Sequence, residues 1–137
     1  MTDTERTEPA GTRGPWVRNY RDLLVWQKAI ELVKEAYPLS NRLPASERFG
    51  LVSQIRRAAA SVPSNIAEGH ARQHDSEFRQ FLYVALGSLA ELDTHVTVAA
   101  QLGYPRAEQS APVNRRITEL RRMISGLVRR IAGQASG

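Results

Sequence analysis

Val113, Ile117, Leu120, Ile124, Leu127 and Ile131 follow one another at steps of four, three, four, three and four residues. That spacing places every one of them on a single face of an α-helix and is incompatible with the two-residue alternation of a half-buried strand. The same period recurs three more times. Leu23, Trp26, Ile30, Val33 and Tyr37 form a first stripe, and Val52, Ile55, Ala59, Val62 and Ile66 a second. Phe78, Leu82, Ala85, Leu89, Leu92, Val96 and Ala99 form a third, widened by Phe81, Val84, Leu86 and Leu102. A helix that is apolar over so wide an arc has neighbours on more than one side.

Local signals set the expected ends. Asp22 reads as the N-cap of the first helix, and Pro38 stops it near Tyr37. The second starts near Ser46, with Glu47 in its first turn, and ends at Gly69 as a C-cap. Pro63 lies inside it, and proline removes one backbone hydrogen bond and crowds the carbonyl four residues back, here Ala59. Because the apolar register runs unbroken from Ile55 to Ile66, one kinked helix over 46–69 is expected rather than two short ones. Asp75-Ser76-Glu77 opens the third helix, Gly103 with Pro105 closes it, and Pro112 stands near the start of the fourth.

Four helices with short links and no strand signal define an all-α fold, an up-down-up-down four-helix bundle with a kinked second helix. The bundle is expected over residues 19–132. Residues 1–18, rich in Thr, Glu, Gly, Pro and Arg, read as a disordered tail, and 133–137 as a frayed end. The 137-residue length suits one core. The absence of cysteine rules out disulfides, thiolate zinc ligands and a thiol nucleophile. Apolar runs fall far short of the ~20 residues that cross a bilayer, and the first fifteen residues, polar and holding three acids, resemble no presequence. A cytoplasmic protein without membrane contact is expected.

Net charge is +5 at pH 7, and its location matters more than its size. Residues 1–111 hold 13 basic and 13 acidic side chains; residues 112–137 hold six arginines against one glutamate. With Ile117, Leu120, Ile124, Leu127 and Ile131 at the core positions of a heptad, Arg115, Arg122 and Arg129 fall on the outermost row. Arg116 and Arg130 fall on one flank and Arg121 on the other. The outer row repeats about every 10 Å. All six are expected to project outward or sideways, as candidate contacts to the phosphates of RNA or DNA, with Glu119 alone to offset them. A solvated face paired with acids of a neighbouring helix or subunit is the competing reading. Interleaved aromatics are absent, so the expected binding is electrostatic and steeply salt dependent.

Other chemistry finds little purchase. His70 and His74 have a four-residue spacing but straddle the turn after Gly69, which favours a loop pair over a metal site. His95 sits beside the third stripe and reads as a packed or interfacial histidine. Trp26 belongs to the first stripe; Trp16 lies in the tail. No phosphate-binding loop, nucleophile elbow or paired-carboxylate motif occurs, so neither a cofactor nor an enzymatic activity is expected.

Five blocks in the centre of the chain carry a resemblance. They are Tyr20 to Ala29 (YRDLLVWQKA), Glu47 to Leu51 with Gln54 to Ala58, Ser61 to Gly69 (SVPSNIAEG), Phe78 to Phe81, and Gly87 to Leu92 (GSLAEL). Together they resemble the 23S rRNA intervening-sequence protein family over about residues 20–104. The resemblance implies a four-helix bundle assembled as a homopentamer, encoded within bacterial 23S rRNA genes or elsewhere in bacterial genomes. It also implies a fold similar to the accessory variability protein of diversity-generating retroelements, a basic pentamer that binds a reverse transcriptase and nucleic acid. The expected function is therefore a non-enzymatic oligomer that binds nucleic acid, RNA foremost. The alternative is a protein–protein scaffold for a reverse transcriptase or other RNA-handling enzyme. Read from chemistry alone, Ser61 and Asn65 satisfy backbone groups around Pro63, Gly87-Ser88 admits a neighbouring helix, and Arg56, Arg57, Glu68 and Glu91 make polar contacts between helices or subunits.

Overall fold

The computed structural model describes residues 19–136, with side chains through Gly133. Four helices dominate it: α1 (Leu24–Ser40), α2 (Leu51–His70), α3 (Asp75–Gln101) and α4 (Ala107–Ser136). Short 3-10 turns at Tyr20–Asp22 and Ala45–Glu47 precede α1 and α2, and no strand occurs among the described residues. The expected tail over 1–18, with Trp16, lies outside the described residues.

Each helix packs on its two neighbours in the cyclic order α1, α2, α3, α4. One apolar core fills the centre. The stripes expected on α3 and α4 are buried in full, from Phe78 to Ala99 and from Val113 to Ile131. Removing each large side chain of this set from water contributes roughly 1.5–3 kcal/mol.

The α1 stripe is displaced. Leu23 is buried as expected, but the helix turns Val25, Ala29, Leu32, Ala36 and Leu39 to the core, while Trp26, Ile30 and Val33 are half-buried on its flank and Tyr37 is exposed. The two alanines explain it: a small side chain lets the neighbouring helices close in, and the larger residues are left to cover the seam. On α3, Val84 and Leu102 do not widen a buried face; both are about half exposed.

Several ends differ from the sequence expectation. Asp22 closes a 3-10 turn capped by Asn19, whose Oδ1 accepts from the Arg21 amide at 2.8 Å, and Leu23 stands at the α1 N-cap without a side-chain bond. Pro38 does not stop α1, which continues to Ser40. In the last turn the lost amide bond is a single one, and the Ser40 hydroxyl donates to the Tyr37 carbonyl at 2.7 Å. Helix α2 begins at Leu51 rather than near Ser46. Glu47 sits in the preceding 3-10 turn and its Oε1 accepts from the Leu51 amide at 3.3 Å.

Pro63 is buried inside α2, which is one helix across it. Ser61 Oγ donates to the Ala58 carbonyl at 2.9 Å and Asn65 Nδ2 to the Ser61 carbonyl at 2.8 Å, so both serve local backbone groups, though not Ala59 itself. Gly69 is not a C-cap. It is a buried helical residue against α3, and Ala71 takes the cap position. The end of α3 follows expectation. Gly103 adopts φ +83°, the Gly103 amide bonds to Ala100 and the Tyr104 amide to Ala99, the paired pattern of a Schellman cap. Helix α4 starts five residues before Pro112, with the Gln109 side chain reaching back to the Arg106 amide at 2.8 Å, and runs past residue 132 to Ser136.

Candidate nucleic-acid interface

The heptad arithmetic places five of the six arginines of α4 on the exposed side as expected, and Arg116 alone departs from it. Arg115, Arg122, Arg129 and Arg130 are exposed, and among the described residues none of them has an ion-pair partner or side-chain hydrogen bond. Arg115, Arg122 and Arg129 form the outer row, and Arg130 borders it on the side of α1.

Arg116 does not project outward. Its Nε and Nη2 donate to the two carboxylate oxygens of Glu35 on α1, at 3.1 and 2.8 Å, and its Nη1 donates to Glu119 at 2.9 Å. The side chain is only 19% exposed. This two-pronged geometry suits guanidinium and carboxylate and holds Arg116 protonated well beyond its ordinary range. Glu119 also meets Lys28 Nζ at 3.3 Å. Partial burial pushes its carboxyl up, but hydrogen bonds from Lys28 and Arg116 outweigh that, and it titrates below the usual carboxylate range. The glutamate expected to offset the strip is thus spent within the α1–α4 seam. Arg121 is exposed, with its Nη2 3.6 Å from Asp93 on α3, a long and solvent-screened pair.

A trough runs along the α1 side of the strip. One hollow is lined by Arg115, Thr118, Arg122 and Met123 among others; the next shares Arg122 and Met123 and continues to Leu24, Gly126 and Arg130. The cations therefore border an apolar floor, which the heptad reading did not anticipate, because Leu24 comes from α1.

The remaining candidates take structural places. His70 is buried at the end of α2, its ring edge-on to Phe78 at 5.6 Å, whereas His74 is exposed at the N-cap position of α3. No group of three or more His, Asp or Glu among the described residues is placed to hold a metal ion. His95 Nε2 lies 3.4 Å from Glu91, which also meets Arg57 across the α2–α3 seam at 3.7 Å. Arg56 spans α2 and the end of α1, donating to Ser40 Oγ at 2.9 Å and Asn41 Oδ1 at 2.6 Å while lying over the Tyr37 ring. Glu68 pairs with Arg72, one turn further along. Trp26 is half-buried and edge-on to Tyr20, with Arg21 over both rings. Ser88 is buried, but Gly87 faces open space, and among the described residues no helix of the same chain approaches it. No helix among the described residues is long and apolar enough to cross a membrane.

Comparison with known proteins agrees with this architecture. A crystal structure of a protein of unknown function from the S23 ribosomal protein family of Bacteroides thetaiotaomicron VPI-5482 superimposes with a TM-score of 0.71. The match covers 77% of this chain and 98% of that one at 24% identity, so the likeness is one of fold. No curated protein matches the chain. The sequence model described as 23S rRNA-intervening sequence protein matches residues 21–126, from the turn before α1 to the last third of α4. With the five sequence blocks and the four packed helices inside that span, the chain belongs to the 23S rRNA-intervening sequence protein family.

Proposed function

We propose that this protein is a non-enzymatic, cytoplasmic, oligomeric helical bundle that binds nucleic acid, RNA foremost, through the outer face of α4. The observation that carries this reading is the isolation of Arg115, Arg122, Arg129 and Arg130. Four exposed cations lie along one helix, and no acid among the described residues is paired with them. The acids nearest in sequence are engaged elsewhere, Glu119 with Lys28 and Arg116, and Glu108 with Arg106. Such a row suits the regularly repeated charge of a phosphodiester backbone and contributes affinity without sequence readout.

The bundle in this proposal runs up-down-up-down and bends at Pro63. In support, Lys28 and Glu35 ascend α1 while their partners Glu119 and Arg116 descend α4. Five copies form the assembly. Association is favoured by large apolar side chains left uncovered on the single chain: Phe49 at 88% exposure and, on α3, Tyr83, Val84 and Val98. The same uncovered residues favour the second reading, a scaffold for a reverse transcriptase or other RNA-handling enzyme.

A salt titration of binding to a structured RNA tests the main reading. Changing Arg115, Arg122 and Arg129 together to Gln lowers affinity, and the log–log salt slope falls by about one for each arginine that meets a phosphate. Unaltered affinity and slope overturn it. Recovery of a single protein partner after nuclease treatment, with no RNA bound, supports the scaffold.

A further inference from the structure

We propose that the trough between the start of α1 and α4 receives an unpaired nucleobase, so that the basic strip prefers single-stranded over duplex RNA. The inference rests on the nucleic-acid reading and names the form of the ligand. Leu24 is 59% exposed although it lies within the α1–α4 seam, and it shares a hollow with half-buried Met123. Gly126 opens the floor: a Cβ built there meets nothing closer than the Arg129 guanidinium at 3.9 Å. Arg122 and Arg130 stand on the same hollow, and Arg122 continues into the next one beside Arg115.

The chemistry of the two parts differs. A phosphate gains from the arginines and nothing from Leu24 or Met123. A flat aromatic base gains from both, because leucine and a polarizable thioether cover its faces and a guanidinium plane stacks on it. Arginines on the same hollow then meet the phosphates on either side of that base. In a paired duplex the base faces are stacked inside, and the trough is left without an occupant. Charge complementarity selects the occupant: Arg115, Arg122 and Arg130 on these hollows are cations without an acidic partner among the described residues, and a nucleic-acid strand brings a phosphate with each base.

Fluorescence anisotropy on the full chain tests this with three probes of equal charge: a single-stranded oligouridylate, a fully paired RNA and an abasic ribose-phosphate oligomer. The single strand is expected to bind about tenfold more tightly than the abasic oligomer, the range that one stacked base supplies. Leu24→Ser and Gly126→Leu each remove that preference and leave abasic binding unchanged; unaltered circular dichroism shows that both variants fold. Equal binding of all three probes that still falls with Arg122→Gln overturns base docking and leaves the strip intact. No binding of any probe overturns both. Displacement of the oligouridylate by polyglutamate more readily than by the abasic oligomer assigns the trough to an acidic protein. A fall in oligomeric mass on Leu24→Ser assigns it to a second copy. Either result overturns the inference.

Discussion

Gly69 on α2 and Phe81 on α3 approach so closely that a Cβ built on the glycine would stand 2.6 Å from the Cβ of Phe81. Phe78 Cδ1 would lie at 3.0 Å from the same atom. Neither neighbour is the far end of a flexible chain, so the helices themselves must separate to admit a methyl group. Gly69→Ala is therefore expected to destabilise the fold by about 1–3 kcal/mol through overpacking. Gly126→Ala meets no such wall and is expected to stabilise by roughly 0.5–1 kcal/mol, the usual gain of alanine over glycine in a helix. Urea unfolding of the two variants reads both signs; a Gly69→Ala midpoint at or above that of the parent chain would contradict the close α2–α3 approach.

Gly69 also shows where sequence reasoning stops. A glycine near the end of an apolar run serves equally as a C-cap or as a point of close approach, and nothing local separates the two. Gly103 was legible because Pro105 follows it and the apolar run ends there. The stripes of α3 and α4 were legible because their large side chains are also their buried ones. On α1 size and burial part company: Ala29 and Ala36 are fully buried while Trp26 and Tyr37 lie outside them, and a reading weighted by large apolar residues settles on the flank of the buried face. The arginine row followed from heptad arithmetic alone. The fate of Arg116 did not, since its partner Glu35 is 81 residues away and only the α1–α4 packing brings them together. The apolar trough was hidden for the same reason, with Leu24 and Met123 on different helices.

Arg116 carries a consequence for stability that its neighbours in sequence do not. Arg116→Gln leaves the partly buried Glu35 carboxylate without its two-pronged partner and is expected to lower stability by about 1–2 kcal/mol, between the values for exposed and for buried pairs. Arg115→Gln, one residue away and solvated, is expected to change stability by no more than about 0.5 kcal/mol. A double-mutant cycle with Glu35→Gln isolates the coupling. Equal effects of the two single arginine changes would contradict the assignment of Arg116 to the seam.

Glu119 makes the fold sensitive to acid. Its folded-state pKa lies below the ordinary value of 4.5, so its ionised form is the one the native state favours. The contribution is present above that ordinary value and is lost as pH falls through the lower, folded one. Melting temperatures of the parent chain and Glu119→Gln, measured from pH 7 to pH 3, are expected to differ most at neutral pH and to converge as the pH falls through the lowered folded-state value. Parallel curves across the range would show that Lys28 and Arg116 do not stabilise the carboxylate.

Helix α3 provides the test of assembly. Among the described residues nothing beyond the local backbone of α3 lies within 4 Å of a Cβ built on Gly87, and Tyr83 and Val84 beside it are about half exposed, so this stretch of α3 is open on the single chain. A substitution there acts on the chain and on the assembly separately. Gly87→Ala is expected to raise the stability of the helix by roughly 0.5–1 kcal/mol. Val84→Glu leaves the helix intact, because the side chain already meets water, but places a charge on the face proposed to meet another copy. Light scattering at micromolar concentration is expected to give an oligomer for the parent chain and a smaller species for Val84→Glu, with identical helical circular dichroism. A monomeric parent chain would remove the oligomer from the proposed function. An unchanged mass for Val84→Glu would place the contact between copies elsewhere, with exposed Phe49 as the next residue to change.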